Sequence, residues 1–296
     1  MESLDFPRLV IMIRRATNLL ALPDSAMKLI QAIDGGEASA RDLERIIAAD
    51  PGLASTLLRV SAHDGVSFLN PPTLRQVIMR LGQRSVRSVA VSLAMKELLK
   101  DPCGSKYFEP FRFARHGLVV GFLARFVYAR RQMLEPFESD WSADELFSAG
   151  VLHDLGTGLL AYSAPEVFDR VYLFAKRSKT TFDEAFKEIF GSYPSVLGAE
   201  ACDQWRLPPF FGTTMRSLNT PWDLEEEYTA QCCLSYAHSL AEHLGEGLGR
   251  WEVESEGAAE AVAEVGLAET EVESLKNILV QQVESYMAPS AGSRAA

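Results

Sequence analysis

The sharpest chemical feature of this 296-residue chain is an adjacent pair, His153-Asp154, within Val151-Leu152-His153-Asp154-Leu155-Gly156. A His and an Asp side by side at a helix end can offer a ring nitrogen and a carboxylate oxygen to one divalent metal. A metal held in this way polarises phosphate and makes water a nucleophile near neutral pH. The set needs a second His from an earlier helix and an acid from a later one. His116, in Arg115-His116-Gly117, suits the earlier place. The later place calls for an Asp between residues 234 and 242, where there is none; Tyr236-Ala237-His238-Ser239 puts His238 there instead. The candidate metal ligands are His116, His153, Asp154 and His238. The plainer reading of the same residues is a leftover polar cluster, with Asp154 accepting hydrogen bonds inside the core. A His-Asp dipeptide alone does not separate the two.

Other chemistry is sparse. Arg80, Arg84 and Arg87 fall at i, i+4 and i+7, one basic stripe if a helix runs through Gly82. Guanidinium planes at that spacing could bind a phosphate or carboxylate ligand; a solvated helix face is the simpler reading. The phosphate-loop pattern G-x-x-x-x-G-K-[ST] and a G-x-G-x-x-G in a βαβ setting are both absent. Gly245-Glu-Gly247-Leu-Gly249 reads as a flexible turn. Cys103, Cys202, Cys232 and Cys233 show no C-x-x-C spacing and read as buried thiols of a reducing compartment. No Ser or Cys sits in a recognisable nucleophile setting, and no catalytic residue is assigned.

The elements that must position these residues are helices. Apolar residues recur at helical spacing along nearly the whole chain, and strand signals are scarce. Residues 8–21, 51–62, 84–99, 165–177, 181–190, 194–205, 224–244 and 269–286 read as helices. Asp24 or Ser25, Ser39, Thr73 and Ser142 are the expected N-caps of others. Gly82 marks a tight joint. One long apolar helix from Phe108 to Gln132 carries His116, and the helix capped by Ser142 leads into His153-Asp154. Glu252 to Glu264 is Glu/Ala-rich, and Pro289 to Ala296 reads as a disordered tail. The expected fold class is all-α: a two-lobed helical bundle, with an N-terminal lobe over 8–100, a second lobe over 108–288 and the tail at 289–296.

Composition agrees. Apolar residues make up 47% and charged residues 23%, which excludes a mostly disordered chain. The net charge of −11 divides unevenly, +7 over residues 1–131 and −18 over 132–296. An acidic molecule repels phosphate backbones, so nucleic acid is an unexpected partner. The basic first half could meet an acidic one. No run reaches the ~18 apolar residues of a membrane helix, and Met1-Glu-Ser-Leu-Asp5 has no signal-peptide character. No membrane contact is expected, and a cytoplasmic location is the default.

Residues 20–100 and 108–212 resemble the HDOD family, the non-catalytic relatives of HD-type phosphohydrolases. The stretches that carry the likeness are Leu22-Pro23, Asp50-Pro51 through Arg59, Gln76 through Gly82, Ala149-Gly-Val-Leu-His-Asp-Leu-Gly156 and Trp205-Arg-Leu-Pro208. The resemblance implies an all-α fold with a degenerate HD-type C-terminal lobe. It also implies a regulatory role in bacterial signalling, and a pocket descended from a metal site but usually without turnover. The cyclic-di-GMP hydrolases of the HD-GYP group are similar only distantly. They carry a Lys after His-Asp-x-Gly, where this chain has Thr157. They also have a His-His pair and a Gly-Tyr-Pro element, both missing near Met215-Arg216-Ser217-Leu218. The resemblance to HDOD chains also implies a His before the Val196-Leu197-Gly198 segment, and Tyr193-Pro194-Ser195 has none. The expectation is a non-catalytic signal-transduction module that binds a protein partner of a signalling pathway. A nucleotide or cyclic dinucleotide is a further candidate ligand, and a vestigial divalent metal is the only cofactor in view. Two alternatives stay open: a metal-dependent phosphohydrolase on nucleotides or cyclic dinucleotides, and a cyclic-dinucleotide or nucleic-acid binder without hydrolysis.

Overall fold

The computed structural model describes residues 5–17, 22–63, 72–99, 103–134, 136–137, 141–219, 228–247 and 265–287. The Glu252–Glu264 stretch and the Pro289–Ala296 tail lie outside them. Every regular element among the described residues is helical: α1 (Phe6–Thr17), α2 (Asp24–Asp34), α3 (Ala40–Ala48), α4 (Pro51–His63), α5 (Leu74–Leu98), α6 (Pro110–Leu134), α7 (Ala143–Leu152), α8 (Leu155–Ser163), α9 (Pro165–Ser178), α10 (Phe182–Phe190), α11 (Pro194–Gln204), α12 (Pro209–Ser217), α13 (Tyr228–His243) and α14 (Glu269–Met287). The fold is all-α.

Local chemistry sets most of these starts. Ser39 and Ser142 each close a capping box, with Asp42 and Glu145 returning the bond to the cap's backbone N–H. Thr73 and Gln76 exchange the same pair of bonds at the head of α5. The start of α2 is different. Pro23 occupies the N-cap position without a side-chain bond, and Ser25 Oγ instead donates to Asp50 Oδ2 at 2.5 Å. The thiols of Cys202, Cys232 and Cys233 are buried, whereas Cys103 is only half-buried, its Sγ 3.1 Å from the Ala161 carbonyl.

The chain divides into two compact units. One comprises residues 22–97 and 269–296, the other residues 1–21 and 98–268. The units divide at residues 97 and 98, and the terminal helices lie on the other side from the sequence reading. The sequence reading puts α1 in the 8–100 lobe and α14 in the 108–288 lobe. Instead α1 packs on α8 and α11, and α14 packs on α4. In α14, Leu275, Leu279, Val283 and Tyr286 form the buried stripe that makes this docking favourable.

In the larger unit, α6, α7 and α13 pack on one another. Glycine lets α6 and α7 approach closely: a Cβ on Gly150 would stand 2.6 Å from the Gly121 Cα. This close pair, with α13 alongside, frames the His-Asp residues.

Candidate metal centre

The four candidate ligands come from two helices and the elbow between two others. His116 sits on α6 and His238 on α13. His153 is the C-cap of α7, and Asp154 is the N-cap of α8. An Asp in that position ordinarily caps its own helix, yet Asp154 makes no side-chain cap bond. Its backbone (φ −96°, ψ 14°) turns the carboxylate to the histidines instead.

One ligand atom from each of His116, His153, Asp154 and His238 lies within 4.8 Å of the others. His116 Nε2 and His153 Nε2 are 3.2 Å apart. Asp154 Oδ2 stands 3.3 Å from His153 Nε2 and 3.5 Å from His116 Nε2. The His238 ring centroid is 5.0 Å from that of His153 and 5.4 Å from that of His116.

The outer faces of two rings are committed. His116 Nδ1 is 2.8 Å from the Glu246 carbonyl oxygen, and His153 Nδ1 is 2.6 Å from that of Gly150. A carbonyl only accepts, so each Nδ1 carries the proton. In the neutral rings, both Nε2 lone pairs then face each other, so either a proton or a metal cation belongs between them. Asp154 Oδ2 is buried with no hydrogen-bond partner among the described residues. A carboxylate oxygen and two opposed lone pairs around one point, with the outer nitrogens tied to carbonyls, is the arrangement a metal-ligating site requires. Three imidazoles and one carboxylate suit zinc and its transition-metal neighbours. The residues present fit a divalent ion.

Electrostatics limit the protons this cluster can hold. Burial, reinforced by His153, pushes the His116 pKa down to about 3. Burial also lowers His238, with Glu242 opposing it. At His153 burial again opposes charge, but the Asp154 carboxylate outweighs it and the pKa rises. Burial would raise Asp154, yet His153, His116 and His238 hold it well below the usual carboxylate range. A proton on His153 is what a metal would displace, so binding should release it.

Several residues of the site escape sequence reasoning. Asp183, in the first turn of α10, has its pKa raised to about 7 by burial and by the Asp154 charge. Asn219 Nδ2 donates to Asp183 Oδ2 at 2.8 Å, and Ser195 Oγ donates to Asn219 Oδ1 at 2.9 Å. In sequence, Asp183 is indistinguishable from a helix-dipole acid after the Thr181 cap. Glu246, in the stretch read as a flexible turn, supplies the carbonyl that orients His116.

The arginine stripe does not form as one face. Gly82 has φ 78° and ψ 160°, which breaks α5 between Arg80 and Arg84. Arg84 is exposed, Arg80 half-buried, and Arg87 buried in an ion pair with Asp34. The i, i+4, i+7 spacing places side chains on one face only along an unbroken helix, and the glycine joint removes that condition.

A family model described as the HDOD domain matches residues 19–221. His116, His153 and Asp154 lie inside this match, and His238 lies beyond it. No curated protein matches the chain. Among solved structures, an HDOD domain protein of unknown function from Geobacter sulfurreducens is similar over 95% of this chain and 99% of its own, with 17% identity and a TM-score of 0.72. A candidate phosphohydrolase from Shewanella amazonensis is similar over 93% of this chain and 96% of its own, with 18% identity and a TM-score of 0.68. A candidate signal-transduction protein from Marinobacter aquaeolei is 20% identical with a TM-score of 0.64; the likeness covers 90% of this chain and 58% of that one. At these identities the likeness establishes the fold. Among the described residues, no helix is long and apolar enough to cross a membrane.

Proposed function

Since the chain belongs to the HDOD family, we propose that it is a regulatory module that holds a divalent transition metal in its His-Asp centre and acts by binding rather than by turnover. The observation that carries this reading is the convergence of two buried Nε2 atoms, 3.2 Å apart, and the buried Asp154 Oδ2, 3.3 and 3.5 Å from them, on one point.

Against turnover stands the ligand count. Four protein ligands complete a tetrahedral set, the pattern of sites that hold metal, whereas reactive sites keep a position open. Where the HD-GYP hydrolases have a Lys after His-Asp-x-Gly, Thr157 is buried here and offers no charge. The chain's own residues draw α6, α7 and α13 to one point. Occupancy of the centre would therefore bias the outer faces of those helices, through which a protein of a signalling pathway, or a small ligand such as a nucleotide, would be recognised.

A phosphohydrolase acting on nucleotides or cyclic dinucleotides is the second reading, and Asp183 is what favours it. A carboxyl that keeps its proton near pH 7 can serve as a general acid, and a metal in this centre would supply Lewis-acid polarisation of a phosphate oxygen.

Metal analysis of the purified protein, followed by turnover assays on nucleotides and cyclic dinucleotides with added Mn or Mg, separates these readings. Stoichiometric metal without turnover is the expected result. Hydrolysis abolished by Asp154→Ala would overturn it in favour of the enzyme. A metal-free protein that takes up no ion would leave only the vestigial cluster.

A further inference from the structure

The residues that aim His116 lie outside the four ligands, and they form a connected clamp. Helix α13, which carries His238, ends in a Schellman motif. Glu246 N–H donates to the Ala241 carbonyl, Gly245 N–H donates to that of Glu242, and Gly245 takes φ +78°. This turn brings residues 245–247 alongside α6, which grips them with three side chains. Arg112 Nε and Nη2 donate to the Gly247 carbonyl at 3.0 and 2.8 Å. Arg115 Nε and Nη2 donate to the two Glu246 carboxylate oxygens at 2.8 and 2.6 Å. His116 Nδ1 donates to the Glu246 main-chain carbonyl at 2.8 Å. Glu246 thus serves twice: its carboxylate is forked by Arg115, and its carbonyl fixes the tautomer and aim of the next residue on the same helix.

We propose that Arg115 and Glu246 are positioning residues for the metal centre, acting as one unit that holds the His116 Nε2 lone pair on the ion. The inference rests on the metal-holding reading above. In most metal-bound histidines the outer nitrogen is fixed by a carboxylate or a carbonyl. Here a carbonyl does so, and a bidentate ion pair, both partners largely shielded from water, keeps that carbonyl in place. The clamp also couples two ligands: the motif that presents Glu246 is the end of the helix that presents His238.

The test is cobalt titration of the metal-depleted, full-length protein, read by visible absorption, with the His116 tautomer read separately by nitrogen-15 NMR without metal. Wild type is expected to bind one ion and to show a protonated Nδ1 on His116. Arg115→Ala and Glu246→Ala are each expected to weaken cobalt binding roughly 10–100-fold. The double variant is expected to lose no more than the worse single one, because each acts through the other. Arg115→Lys keeps the charge without the fork and should recover only part of the loss. Glu246→Gln, which keeps the size and one acceptor, should show a smaller loss and covers the case in which an alanine variant does not fold. A shift of the His116 tautomer in these variants would support positioning, since general loosening of the fold would not select one ring. If wild type binds cobalt and the folded variants bind it as tightly, the clamp is overturned and the metal reading stands. If wild type binds no cobalt, the metal reading fails and the clamp falls with it.

Discussion

Two carboxylates beside one histidine cluster carry opposite charge preferences, and their surroundings say why. Asp154 faces three imidazoles and stays ionised. Asp183 is desolvated, feels the Asp154 charge and holds its proton up to about pH 7. In the unfolded chain its carboxyl would titrate near 3.8. Between those values the folded state binds more protons than the unfolded state, so Asp183 makes stability fall as pH rises from about 4 through 7. Asp183→Asn removes that slope. The variant should gain on wild type between pH 5 and pH 8 when both are unfolded by denaturant in the presence of a chelator. An equal difference at the two pH values would show that Asp183 titrates as an ordinary carboxyl. The chain alone pointed to His116, His153, Asp154 and His238, because a dipeptide at a helix end and a helical register can be read from spacing. Asp183, Asn219 and Glu246 could not be read so, because their roles depend on which helix ends meet in space. Arg87 misled for a related reason: spacing suggests a surface stripe but does not say that Asp34 waits behind it.

At the scale of elements, glycine decides where helices bend and how near they come. Gly82 has φ 78° and ψ 160°, a region that residues with a Cβ scarcely enter. A Cβ there would meet nothing within 4 Å, so the cost of Gly82→Ala is backbone strain alone, about 1–3 kcal/mol. It should appear as a lower denaturant midpoint with an unchanged slope. Gly150 is the contrasting case, with ordinary helical backbone but no room. An added Cβ would meet Gly121 main-chain atoms at 2.6 and 2.7 Å, and backbone cannot rotate aside. Gly150→Ala should cost roughly 1–3 kcal/mol or more, and by prising α7 from α6 it should also weaken cobalt binding. A loss of stability with unchanged affinity would mean that the helix pair does not set the ligand geometry. The joint at Gly82 and the caps at Ser39, Thr73 and Ser142 were legible, because turn and cap chemistry is local. The α6–α7 approach was not, since a glycine inside a helical pattern does not announce the neighbour it admits.

Across the whole molecule, the basic first half and the acidic second half meet within one unit: Arg115 pairs with Glu246, and Arg125 with Asp144. Sequence order misassigned the two ends because an amphipathic helix shows that it has a partner but not which one. α1 packs on α8 and α11 in the unit that holds the centre, and α14 packs on α4 in the other. Ile13 of α1 and Leu279 of α14 are both buried, so each truncation to Ala should cost about 2–5 kcal/mol. The consequences should separate. Ile13→Ala strips support from α8, whose first turn follows Asp154, and should weaken cobalt binding along with stability. Leu279→Ala should destabilise a unit that holds none of the four ligands and leave the affinity of the folded protein unchanged. Hydrogen exchange read by mass spectrometry would locate each loss, with faster exchange in α8 and α11 for the first variant and in α4 for the second. If Leu279→Ala loosened cobalt while α4 exchange stayed slow, the assignment of α14 would be wrong, and the last helix would have to be reckoned with the unit that carries the histidines.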